Sequence, residues 1–96
     1  MIATQSEPQT LDELRNFVHE TLCARENLLR EDSRLHELAL RKGEETCGMQ
    51  FFVHGPRLVR LSAVWSRDHN TLYCYDTNGE RYLKVQLNHP IPVSNQ

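Results

Sequence analysis

Two places in this 96-residue chain bring together side chains that could carry out chemistry, and a third could hold an ion. Cys47 and His54 share one segment, Cys47-Gly48-Met49-Gln50-Phe51-Phe52-Val53-His54. A thiol becomes a nucleophile when a base sits within hydrogen-bond reach. Strand alternation puts these two on opposite faces unless a bulge at Gly48 reverses the parity, so no catalytic residue is assigned. The loop Arg67-Asp68-His69-Asn70 has the residue types of an acid–base set. Asp and Asn equally stabilise turns by bonding their own backbone, and a hairpin turn is the reading adopted. His19 and Cys23 stand at i and i+4 on a helical pattern, a spacing that can grip one ion. Two ligands do not complete a site, and a third (His36, His69 or Cys74) would have to arrive through the fold. The expectation is a surface His19 beside a half-buried Cys23, with no metal.

Other chemical signatures are missing. Asp76-Thr77-Asn78-Gly79 resembles the start of a calcium loop but lacks the downstream acidic ligand. There is no phosphate-cradling P-loop, no Gly-x-Gly-x-x-Gly, no His-Glu-x-x-His and no nucleophile elbow. No cofactor is expected. Cys23, Cys47 and Cys74 are odd in number and widely spaced, so no disulfide framework is expected either.

A fourth grouping is larger and lies in the stretch from Cys47 to Leu87. Met49, Phe51, Val53, Val59, Leu61, Ala63, Trp65, Leu72, Cys74, Leu83, Val85 and Leu87 alternate with a second set. The first set reads as a core face. The second includes Phe52, Arg60, Tyr73, Tyr75, Tyr82 and Lys84, an aromatic and basic mixture that a sheet does not need merely to fold. Tyr, Phe and Arg are enriched in protein interfaces. Aromatics on adjacent strands with nearby cations also stack bases and hold phosphates in single-strand binders. The reading adopted is a protein–protein or self-association face. Single-stranded nucleic-acid binding is the alternative and a small enzyme or ligand-binding domain the third. The overall acidity weakens the nucleic-acid reading.

These residues need a scaffold. Thr10-Leu11-Asp12-Glu13 is a capping box, and Leu11, Leu14, Val18, Leu22 and Leu29 continue one apolar stripe. The spacing predicts a helix from Leu11 to about Arg30. Residues 35–41 read two ways. Helix propensity favours a short helix capped by Ser33, which is the expectation adopted. The alternation of Leu38 and Leu40, ending at Lys42-Gly43, favours an edge strand. Strands are expected at about 46–54, 57–66, 71–76 and 80–87, with turns at Gly55-Pro56, at 67–70 and at Asn78-Gly79. Such short connections force sequential antiparallel pairing. The predicted fold is α+β, two layers, with the N-terminal helix packed on one face of a four-stranded antiparallel meander. The predicted domain runs over residues 10–88, with a disordered lead-in at 1–9 and a flexible tail at 89–96.

Composition agrees with a globular domain. The charged fraction is 25% and the net charge −2. Residues 1–46 hold six basic and ten acidic residues, giving −4, and residues 47–96 hold five and three, giving +2. Ordinary solvated helix charge is the reading adopted for this asymmetry; as a functional feature it would favour head-to-tail self-association or steer an acidic partner to the sheet. No apolar run approaches the ~20 residues that span a bilayer, so no membrane contact is expected. Met1–Gln5 has no basic or apolar signal region, which sets a cytoplasmic expectation. Finally, Cys47-Gly48-Met49-x-Phe51, His54-Gly55-Pro56-Arg57 and Val59-Arg60-Leu61-x-Ala63-x-Trp65 together resemble the pattern of a small uncharacterised family of bacterial proteins. That resemblance implies a small bacterial domain and no activity, cofactor or site.

Overall fold

The computed structural model describes residues 7–57 and 59–93. Helix α1 spans Leu11–Arg25 and is followed by a short 3-10 turn at Arg30–Asp32. Five strands then run β1 Leu35–Lys42, β2 Glu45–His54, β3 Arg60–Ser66, β4 Thr71–Tyr75 and β5 Arg81–Gln86. They form one antiparallel sheet in the order β1-β2-β3-β4-β5. The α+β class and the helix-on-sheet arrangement hold, but the sheet has five strands rather than the four expected.

The extra strand is the 35–41 stretch, expected as a short helix. The turn chemistry decides it. Gly43 takes φ 66, while Glu44 does not enter the left-handed region. With Lys42 paired to Glu45, this is a two-residue hairpin with positive φ at its first central position, where glycine is favoured. Long-range pairing with β2 then outweighs a weak local helix preference.

The helix begins as expected and ends early. The Glu13 amide donates to Thr10 Oγ1 at 3.1 Å, while the Glu13 carboxylate accepts from the Gln9 amide at 2.9 Å. At the other end Asn27 takes φ 56, the Leu28 amide donates to the Cys23 carbonyl and the Asn27 amide to the Ala24 carbonyl. This is a Schellman cap with asparagine in the place usually taken by glycine. Leu29, predicted on the apolar stripe, therefore lies beyond the helix and is 61% exposed.

Leu14, Val18, Leu22 and Cys23 of α1 are buried against Phe51, Val53, Leu61, Ala63, Trp65, Leu72 and Cys74 of the sheet. Each fully buried aliphatic or aromatic side chain contributes about 1.5–3 kcal/mol. The paired rows Phe51–Ala63–Cys74–Leu83 and Met49–Trp65–Leu72–Val85 carry this core across the strands. Gly48 is required by close packing: a Cβ there would collide with the main-chain carbonyl of Trp65. An Arg15–Glu37 pair, bidentate at 2.7 and 2.9 Å, ties α1 to β1 and raises the Arg15 pKa.

The packed fold reaches beyond residues 10–88. Pro8 and Ile91 are buried. The Glu7 carboxylate accepts from the amides of Asn88 and His89 at 2.7 and 2.9 Å and lies 2.9 Å from His89 Nδ1. The rest of the expected lead-in and tail, residues 1–6 and 94–96, falls outside the described residues.

Candidate interaction surface

The face of the sheet turned away from α1 is organised in cross-strand rows. One row is His36–Phe52–Ser62–Tyr75–Arg81. The next is Leu38–Gln50–Val64–Tyr73–Lys84, and the third is Leu40–Gly48–Ser66–Thr71–Gln86. His54 and Arg60 pair at the end of β2. None of these three rows holds an aspartate or a glutamate.

Two guanidinium groups lie over aromatic rings here. Arg60 sits 4.4 Å from the Phe52 ring centre and Arg81 sits 4.6 Å from that of Tyr73. Such stacks hold a long cationic side chain in one place at a contribution of about 0.5–1 kcal/mol at exposed sites. The rings of His36 and His54 meet edge-on at 5.4 Å. Leu38, at the outer edge, is 56% exposed.

Five of the six residues expected on this face occupy it: Phe52, Arg60, Tyr73, Tyr75 and Lys84. Tyr82 does not, and a bulge explains why. Cys74 pairs with Leu83 but Tyr75 pairs with Arg81, so Tyr82 is the extra residue and the parity of β5 inverts there. Arg81 turns to the open face, and Tyr82 turns towards the helix, where the Arg25 guanidinium of α1 lies 4.4 Å from its ring centre. Tyr82 packs against the core, and its hydroxyl is buried without a hydrogen-bond partner. Burial, followed by the nearby Cys74, pushes its pKa up to about 12. Burial alone pushes the Cys74 thiol up to about 11.

Sequence reasoning therefore missed Arg81, His36, Leu38 and Leu40 on this face. The three β1 residues had a signal, the Leu38/Leu40 alternation before Gly43. Arg81 had none, because nothing in the sequence marks the bulge.

The other candidates do not assemble. Cys47 and His54 stand at opposite ends of β2, about 23 Å apart at the usual strand rise. His19 Nε2 lies 2.6 Å from the Ser33 carbonyl oxygen, and Cys23 is buried with its pKa raised by desolvation. Among the described residues no three His, Cys, Asp or Glu side chains converge to hold a metal. No helix is long and apolar enough to cross a membrane among those residues. The loop 67–70 works as a turn and a clamp. Asn70, at φ 47, accepts from Trp65 Nε1 at 3.0 Å and donates to the His89 carbonyl at 2.8 Å. Asp76 accepts from the amides of Asn78 and Glu80, closing the last hairpin.

Two clefts lie at the ends of the sheet. One of about 550 Å³ lies between Leu28, Leu29, Asp32, His54 and Pro56, and another of about 540 Å³ lies beside Trp65, Asn70, Leu87 and Ile91. Phe52, Tyr73 and Tyr75 line neither. Comparison with protein-family models, curated proteins and solved structures finds no match.

Proposed function

We propose that this protein is an interaction module whose open sheet face docks an acidic protein surface. The observation that carries the reading is the composition of that face. Arg60 and Arg81 are stacked on Phe52 and Tyr73, Lys84 and His36 lie in the same rows, and no carboxylate lies among them. Stacked arginines beside aromatic rings are the side chains that anchor protein interfaces, because little freedom is left to lose when a carboxylate arrives. The positive balance of residues 47–96 would steer such a partner towards the sheet.

The same absence of carboxylates supports the second reading, single-stranded nucleic acid. The guanidinium stacks weigh against it, since they cap ring faces of Phe52 and Tyr73 that bases would otherwise use. The net charge of −2 also opposes non-specific affinity for phosphates.

The test is fluorescence anisotropy with two probes, a glutamate-rich peptide carrying interspersed leucines and a single-stranded oligonucleotide. The peptide is expected to bind, and R60E/R81E/K84E is expected to abolish binding while the protein stays folded. Tyr75→Ala should weaken it by roughly tenfold, the size of a single interface anchor. No peptide binding in the wild type overturns the proposal. Oligonucleotide binding alone, falling steeply with salt, transfers the face to the second reading.

A further inference from the structure

The two edges of the sheet are built differently. β5 is six residues long and is broken by the bulge at Tyr82. Short length and a bulge are devices that stop an edge strand from pairing with another chain. β1 is eight residues long. Its one register shift, between Leu40 and Arg41, leaves the extra residue, Cys47, in β2, so β1 itself runs regularly. It contains no proline, and among the described residues no strand pairs with its outer side.

The geometry points to β1 pairing antiparallel with β1 of a second copy of this chain, about a two-fold axis at Ala39. The sequence Glu37-Leu38-Ala39-Leu40-Arg41 is complementary to itself in that register. Leu38 faces Leu40 of the second copy, and Glu37 faces Arg41 of the second copy, each pair occurring twice. Apolar pairs and opposite charges directly across two strands are the favourable cross-strand combinations. Neighbouring registers are poorer. Moving the axis to Leu38 sets Arg34 against Lys42, and moving it to Leu40 sets Leu38 against Lys42. A slip of one residue turns the open faces of the two copies to opposite sides. Glu37 already receives Arg15, but each of its carboxylate oxygens keeps a lone pair for a further donor. The pairing also covers Leu38, a large apolar side chain otherwise left in water.

The dimer stands on the edge alone. Its consequence, two open faces side by side on one continuous sheet and hence a bivalent docking surface, rests on the function proposed above.

Sedimentation equilibrium of the full chain, from micromolar to millimolar, tests the pairing. The wild type dimerises. L38K/L40K and L38E/L40E, both changed on the open face, each weaken the dimer by roughly tenfold or more, because like charges then face each other. Mixing the two variants restores a dimer, since every lysine then faces a glutamate. A39C, in a Cys47→Ser background, cross-links across the axis with a short bis-maleimide. A monomeric wild type overturns the proposal, as does a dimer that survives in both charged variants or a mixture that stays monomeric. R81E/K84E separates the two claims: it should lose the acidic peptide and keep the dimer.

Discussion

The helix-covered face and the open face of the sheet share the same five strands and differ in what a substitution on each would disturb. On the covered face Trp65, Phe51, Leu61 and Leu72 are fully buried and meet Leu14, Val18 and Leu22 of the helix. On the open face the aromatics are half-buried, and two of them lie under arginines rather than under other apolar groups. The first arrangement gains its free energy by excluding water. The second retains cations, half-buried rings and solvent contact, which adds little to folding. The difference teaches that the open face is not a thinner copy of the core.

The comparison can be broken by truncating one aromatic on each side. Trp65→Ala should cost about 3–5 kcal/mol in urea denaturation, a large share of a small domain's stability. Tyr75→Ala should cost less than about 1 kcal/mol, in line with a cross-strand contact. Equal costs would erase the distinction. Gly48 sharpens it next, because it belongs to an open-face row yet is fixed by the approach of the Trp65 backbone. Gly48→Ala should destabilise by about 1–3 kcal/mol through overpacking, read as a lower denaturation midpoint at unchanged slope.

Tyr82 offers a smaller and more pointed check, since its address is what the bulge changed. Its hydroxyl is buried without a partner, so Tyr82→Phe should leave stability unchanged or raise it by up to about 1 kcal/mol, and acidic-peptide binding should be untouched. In alkaline ultraviolet titration Tyr82 should ionise near pH 12. A phenol whose folded pKa is raised above its ordinary value of 10.0 contributes stability that is complete below pH 10 and is lost as pH climbs towards 12. The phenylalanine variant should lack that alkaline loss.

The smallest expected effect lies outside both faces, at the Glu7 clasp on residues 88–89. The hydrogen bond from His89, with those from the Asn88 and His89 amides, holds the Glu7 pKa below its ordinary 4.5. The clasp is therefore complete above that value and loosens as pH falls below it. The protection of the Asn88 and His89 amides, measured against their intrinsic exchange rates at each pH, should fall in acid, and Glu7→Gln should remove it at neutral pH. Exchange in the core strands should not follow.

Much of this architecture was legible in the sequence because it rests on local rules. The capping box, the Leu14/Val18/Leu22 stripe, the order of the strands and the parity of β3, β4 and of β2 from Gly48 onward all follow from spacing. Three features were not. The helix stopped at Arg25 because Asn27 adopted a left-handed conformation, a cap that glycine announces more plainly. β1 was expected as a helix because its pairing partner, β2, is supplied only by the fold. The bulge that exchanged Arg81 for Tyr82 has no residue signature, since it depends on how β5 meets Tyr75. The candidate face was legible to the same extent: five residues were placed by alternation, while its second stacked arginine came from a break in that alternation.

The central claim is that the open face, and not the helix side, receives an acidic partner. Nitrogen–proton correlation spectra of the protein during titration with the glutamate-rich peptide test it most directly. The account predicts saturable shifts gathered on the amides of His36, Phe52, Tyr73, Tyr75, Arg81 and Lys84, with Leu14, Val18, Leu22 and Tyr82 unmoved. Shifts centred on α1 or around Tyr82 and Arg25, or no saturable shift at all, would contradict it.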